Sequence, residues 1–275
     1  MPTGSVYAPP PPAALVTGGA RRIGRAIVTA LARSGYAVAI HSHRSRAAAE
    51  ALRDEIAAAG GRAAVVGGDL ADHAAVAALV PAAVAAVGPL TLLVNNASEF
   101  EPDEIGRLDR ARFDHHFAVN LRAPLFLAQS FAAQLFAAPS FAAPITATRV
   151  SALPDSSIVN LLDQRVLRPT PRFLSYGLAK SALYAATTTL AQALAPRLRV
   201  NAVAPGPTLP SPRQDAAAFA RTCRAMPLGH GPSPEEIAAA VLYLAGAKSV
   251  TGVTIAVDGG QHLGWRPDDA ATIEE

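Results

Sequence analysis

Seven short runs in this chain are apolar at nearly every position, and each is followed by a longer stretch with helical spacing; no other feature narrows the fold so far. The runs lie near 13–17, 37–41, 63–66, 90–94, 157–161, 199–203 and 254–257. A strand with one wet face alternates polar and apolar residues, so runs without alternation belong to strands packed on both faces. Strand and helix in strict succession give parallel pairing, because the chain must cross back over the sheet between neighbouring strands. The expectation is one α/β domain over 13–264: a doubly wound, seven-stranded parallel sheet with helices on both faces.

Two segments depart from that rhythm. Residues 137–156 carry Pro139, Pro144 and Pro154 among small residues and read as an inserted loop. Residues 205–234 hold seven prolines around a short helical stretch at 215–224. They follow a strand at its carboxyl end, where open α/β sheets bind ligands, so 209–232 reads as a substrate lid. Residues 1–12, with prolines at 9 to 12, form a flexible arm without the basic-then-apolar order of a secretory leader, and 265–275 form a tail.

Composition excludes several function classes. With 275 residues, 51% of them hydrophobic and 16% charged, the chain can bury one large core. The net charge of +3 is small and its basic residues are scattered, which speaks against nucleic acid and anionic membranes as partners. The helical stretches at 72–87 and 176–195 are interrupted by polar residues or end too soon for a bilayer span. One cysteine, Cys223, allows neither an internal disulfide nor a cysteine-type zinc site, in keeping with a cytoplasmic location.

The first strand runs into Thr17-Gly18-Gly19-Ala20-Arg21-Arg22-Ile23-Gly24 and then a helix. Gly18 permits a tight turn, Gly24 permits close packing, and the free amides at the helix start attract a pyrophosphate, which marks a Rossmann-like dinucleotide site. The second strand ends in His41-Ser42-His43-Arg44-Ser45, with no acid before Glu50. A site for NAD places a carboxylate there to hold the ribose 2′-hydroxyl, whereas Arg44, Ser45 and His43, with Arg21 from the first loop, suit the extra phosphate of NADP(H). The competing reading is a solvated basic turn. His41 and His43 share a strand face but have no third ligand nearby, so no metal is expected.

Tyr176 and Lys180 stand one helical turn apart and face the same way. At that spacing the lysine is expected to favour the phenolate and turn the phenol into a usable proton donor. Upstream, the fifth apolar run ends in Leu162-Asp163, which adds a carboxyl group to the same neighbourhood.

With these motifs in this order, the chain resembles the short-chain dehydrogenase/reductases from residue 13 to about 264. Asp69-Leu70, Asn95-Asn96-Ala97-Ser98, Asn120, Asn201, Pro205-Gly206 and Asp258-Gly259-Gly260 stand where that family has its later motifs. The resemblance implies that Asp69 contacts adenine with Leu70 beside it, and that Asn95, Ala97 and Ser98 hold the backbone around the ribose. It also implies that Tyr176, Lys180, Pro205, Gly206 and Thr208 approach the cofactor, and that Asn120 supports a water near Lys180 as part of the catalytic set. Each also reads as a turn or cap residue.

Three departures shift together. Arg22 replaces a turn glycine, Ser98 the last glycine after Asn-Asn-Ala, and Asp163 the usual catalytic serine. With Phe100, this combination resembles the pteridine reductases and the related dihydromonapterin or alternative dihydrofolate reductases. It implies a pterin or folate-like substrate with Phe100 against one ring face, Ser98 and Arg22 at its edge, hydride from NADPH to a C=N carbon, and a proton from Tyr176. Phe100 reads equally as a loop anchor. Asp163 either relays a proton or, as the anion, binds a ring N–H together with the tyrosine. A carbonyl reductase of 3-oxoacyl type and a non-catalytic NADPH-binding sensor are the alternatives. The helix after Tyr176 is small or apolar on almost every side, which implies a covered face and, from the resemblance, a homotetramer.

Overall fold

The computed structural model describes residues 11–135, 155–211 and 213–264. Its strands are β1 (Ala13–Val16), β2 (Ala37–Ser42), β3 (Arg62–Gly67), β4 (Leu92–Asn95), β5 (Ser157–Leu161), β6 (Arg199–Pro205) and β7 (Thr254–Val257). All pair in parallel, in the order β3-β2-β1-β4-β5-β6-β7. The chain therefore starts mid-sheet, winds out to β3, returns beside β1 and winds out the other way to β7. The reversal between β1 and β4 opens a crevice at the carboxyl ends of the strands.

Successive residues of each inner strand face opposite cores. Leu15 packs beneath α3 (His73–Val87) and α5 (Ala123–Leu135), while Val16 packs against α1 (Arg22–Arg33) and α8 (Pro234–Gly246). Ile158 and Val159 of β5 divide in the same way. The unalternating apolar runs follow from this two-sided burial. The remaining helices are α2 (Arg46–Ala58), α4 (Arg110–Phe117), α6 (Leu174–Leu194) and α7 (Ala216–Arg224).

Most strand limits differ from the expected ones by a residue or two, and at β4 the cause is specific. Leu90 was expected to begin the strand, but the Gln134 side chain takes both its amide, at 3.0 Å, and its carbonyl, at 2.8 Å. The ladder therefore starts at Leu92. Between α4 and α5 the helix widens into one π turn, Ala118–Arg122, a distortion often found at functional sites. Asn120 lies in it. Apart from residues 11, 12, 155 and 156, the N-terminal arm, the insertion at 137–156 and the C-terminal tail lie outside the described residues.

Candidate active site

The glycine turn is built by close approach. Gly18 has φ of 62° and a Cβ there would meet the Ala97 Cα at 3.0 Å; a Cβ on Gly24 would meet the Gly18 carbonyl at 2.2 Å. Only glycine fits both positions. Thr17 ties the turn to the end of β4, its Oγ1 accepting the amides of Asn96 at 2.9 Å and Ala97 at 3.0 Å. Asn96 returns the contact, its Nδ2 donating to the carbonyls of Thr17 and Gly18. At the start of α1, Arg21 provides no side-chain cap and the first turn holds no acid. The amides of Arg22, Ile23 and Gly24 are thus open to an anion.

His41, weighed above as half of a metal pair, is instead a buried strut. Its Nδ1 accepts the Gly18 amide at 3.1 Å and its Nε2 donates to the Gly68 carbonyl at 3.0 Å, linking the ends of β1 and β3. Beyond it, His43 lies 3.7 Å from Asp69. The Ser45 amide donates to Ser42 Oγ, and Arg44 and Arg21 are exposed, their guanidinium groups without hydrogen-bond partners among the described residues. Uncapped amides at the start of α1 and unpaired guanidinium groups after β1 and β2 fit a dinucleotide that carries an additional phosphate.

The carboxyl ends of β4, β5 and β6 enclose a cavity of about 260 Å³ whose lining includes Arg22, Ser98, Phe100, Asp163, Tyr176 and Lys180. Three donors converge on Asp163. The Tyr176 hydroxyl donates to Oδ2 at 2.9 Å, the Arg165 amide to Oδ1 at 2.8 Å, and the Arg165 guanidinium to both oxygens at 3.1–3.2 Å. Phe100 stacks on Phe173 with centroids 4.2 Å apart and meets the Tyr176 ring edge-on at 4.7 Å. Arg165 and Arg213 lie nearly equidistant from both phenylalanine rings, so they sit beside the stack rather than over a face. Phe100 is therefore a loop anchor and a cavity wall at once.

Electrostatics here correct one expectation. Lys180 was expected to lower the Tyr176 pKa. Burial instead pushes the phenol well above its ordinary 10.0, the Asp163 charge adds to that, and Arg165 and Ser98 only partly oppose it. Lys180 is itself brought down from 10.5 to about 8 by burial, with Asp163 opposing. Its Nζ donates to the Leu161 carbonyl at 2.7 Å.

Other expected residues divide. Asn95 does not reach the crevice: as the last residue of β4 it sits opposite Asn160, and its Nδ2 donates to that side chain at 2.9 Å. Asn96, one residue on, lines the cavity instead. Leu70 is packed into the core. The Asn120 side chain holds the Ser98–Glu99 loop, Oδ1 accepting from Ser98 Oγ and the Glu99 amide and Nδ2 donating to the Glu99 carbonyl. Pro205, Gly206 and Thr208 line the cavity. Arg22 occupies a left-handed conformation at φ of 52°, costing on the order of 1 kcal/mol. Its guanidinium donates to the carbonyls of Leu209 and Pro210, at the start of the segment expected to serve as a lid. Arg165 and Phe173 escaped the sequence reading, since neither belongs to a local pattern.

Among the described residues no group of three or more His, Cys, Asp or Glu could hold a metal, and no helix is long and apolar enough to cross a membrane. Two buried imidazoles give a pH prediction. Burial lowers the pKa of both His41 and His116 below 6.5. The unfolded chain then binds protons first as pH falls, so stability is lost from about pH 6.5 downwards to the lowered folded values. A melting temperature that does not move between about pH 7.5 and about pH 5.5 would contradict this.

The site's geometry can be set beside known proteins. Residues 18–262 match a family model described as enoyl-(acyl carrier protein) reductase. The FolM alternative dihydrofolate reductase 1 of Brucella suis, solved in complex with NADP, superimposes with a TM-score of 0.85 at 48% identity, covering 94% of this chain and 98% of that one. Pteridine reductase 1 of Leishmania tarentolae is 32% identical over 291 residues, 93% of this chain and 98% of its own length. The 3-oxoacyl-[acyl-carrier-protein] reductase FabG of Staphylococcus aureus is 32% identical over 256 residues, 91% and 98% respectively.

Proposed function

The chain belongs to the short-chain dehydrogenase/reductase family, and from that premise we propose that it is an NADPH-dependent reductase of a pterin or dihydrofolate-like C=N bond. The observation that carries the substrate class is the 2.9 Å contact between Asp163 and the Tyr176 hydroxyl inside the cavity. Reducing C=N requires a proton at nitrogen, whereas reducing a ketone requires chiefly a hydroxyl to hold its oxygen, the task a serine performs.

NADPH, when bound, supplies hydride at its nicotinamide. Gly18 and the open amides of α1 hold the pyrophosphate, and Arg44 with Ser45 and His43 holds the extra phosphate. Phe100 presents a flat apolar wall to the ring, and Ser98 and Arg22 supply polar contacts at its edge. Tyr176 turns its O–H from Asp163 to the ring nitrogen beside the carbon being reduced and gives up its proton. The resulting phenolate is disfavoured by burial and by Asp163, so it is refilled at once along that same contact, with Asp163 passing a proton inward from solvent. The Lys180 ammonium offsets the phenolate charge meanwhile. The reading includes a lid at 209–232 and a cytoplasmic homotetramer assembled through α6, on which Leu178 and Tyr184 are exposed.

A carbonyl reductase is the second reading, because the 3-oxoacyl reductase relative is as similar in sequence as the pteridine reductase. NADPH oxidation measured with dihydrobiopterin, dihydromonapterin, dihydrofolate and 3-oxoacyl thioesters separates them. Pterin or folate turnover is expected, and Asp163→Ser should lower its kcat by roughly 100-fold without loss on ketones. Turnover of ketones alone would discard the pterin assignment and keep the reductase. NADPH binding without any turnover would leave a sensor.

A further inference from the structure

One cluster of buried polar groups lies behind the site and has no part in the reaction above. Ser175, the residue before Tyr176, and His116 of α4 are fully buried, and Asp103 nearly so. Ser175 Oγ donates to Asp103 Oδ2, and the Ser175 amide donates to Oδ1 at 3.1 Å. His116 Nδ1 lies 2.6 Å from Ser175 Oγ, while its Nε2 accepts the Glu101 amide at 3.2 Å. The direction of each bond follows. An amide can only donate, so Nε2 is the acceptor and a neutral ring carries its proton on Nδ1, leaving the serine hydrogen for Asp103. The chain of donors runs from Glu101 through His116 and Ser175 to Asp103, beginning and ending in the loop that carries Phe100.

The start of α6 supplies a second observation. Its N-cap is Phe173, at φ of 56° and without a side-chain cap. A bulky residue rarely adopts that conformation, and the helix leaves its first amides without internal partners. Asp103 serves them from a distant segment, its carbonyl accepting the Leu174 amide at 3.2 Å and its carboxylate the Ser175 amide. The Phe173 ring meanwhile stacks on Phe100. The loop at 98–103 is thus fixed to the first turn of α6 immediately before Tyr176.

We propose that Asp103, Ser175 and His116 form a positioning unit that sets the spacing between the Phe100 wall and the Tyr176 hydroxyl, and so the width of the slot for a flat substrate. None of the three lines the cavity. They act through Phe100 and Tyr176 and touch no reactant; only the kinetic arm of the test rests on the pterin reading.

The test uses the full chain with Ser175→Ala, and with Asp103→Asn, which keeps an acceptor for the Ser175 amide should the first variant fold poorly. Hydrogen exchange should quicken together at 98–103 and 173–177, by about tenfold or more, with β7 and the glycine turn unchanged. The Kd for NADPH, read by fluorescence titration, should stay within about twofold, and the pterin KM should rise about tenfold with a smaller change in kcat. Exchange that is unchanged, or faster everywhere in proportion, would overturn the proposal, as would wild-type kinetic constants in a variant that only melts earlier. If the wild type turns over no pterin, the functional reading fails by itself and the exchange data still decide this one.

Discussion

Tyr176→Phe is expected to lower kcat by about a thousandfold or more while NADPH binds within about twofold of wild type. The substitution removes one oxygen and keeps the ring, so the edge-on contact with Phe100 at 4.7 Å survives. Asp163 keeps both Arg165 contacts, and no charged group is left without a partner. Stability should therefore change little, by about 1 kcal/mol for the lost hydrogen bond. What disappears is the proton donor. Single-turnover measurement with NADPH and a dihydropterin isolates the chemical step. A variant that retains a tenth or more of the wild-type rate would show that the proton comes directly from Asp163 or from water, and the tyrosine would then be only a positioning group.

The sheet was legible because two-sided burial leaves a mark on every inner strand: residues facing opposite cores are both apolar, as Leu15 and Val16 are. The glycine turn was legible because its demands are steric and local. The meeting of Asp163 with Tyr176 was readable in outline, since both stand where β5 leaves the sheet and α6 begins. The partner of the Asn95 side chain turned on strand parity. Had the end of β4 been placed at Asn95, its neighbour Asn160 in the register would have claimed that side chain and left Asn96 for the crevice. The sense of the Tyr176 shift was not readable at all. Helical spacing gives the distance to Lys180 but says nothing of burial, and burial is the largest influence on both groups. The bridging role of His41, and Asp103 altogether, were missed for a related reason, as each joins segments far apart in the chain.

Lys180→Met should leave the cofactor-free protein more stable and nearly inactive. Burial holds the ammonium near pKa 8, down from 10.5. The sign follows from proton counts. Below about pH 8 the folded state carries a buried charge it would rather release, and between that value and 10.5 it sheds the proton while the unfolded chain keeps it, so the penalty fades as pH rises. At about pH 7 the full penalty applies, on the order of 3 kcal/mol from the size of the shift. Methionine removes it at similar length, against a loss of about 1 kcal/mol for the bond to the Leu161 carbonyl. A net gain near 2 kcal/mol should raise the melting temperature by roughly 5 °C at about pH 7, and by less at about pH 9.5. Turnover should fall about 100-fold, because the phenolate left by Tyr176 then loses the ammonium one turn along its helix and keeps only Arg165, whose charge is shared with Asp163. A variant that melts below the wild type at about pH 7 would show that the lysine is held by favourable contacts rather than against its burial, and the strain assigned to this corner of the site would have to be withdrawn.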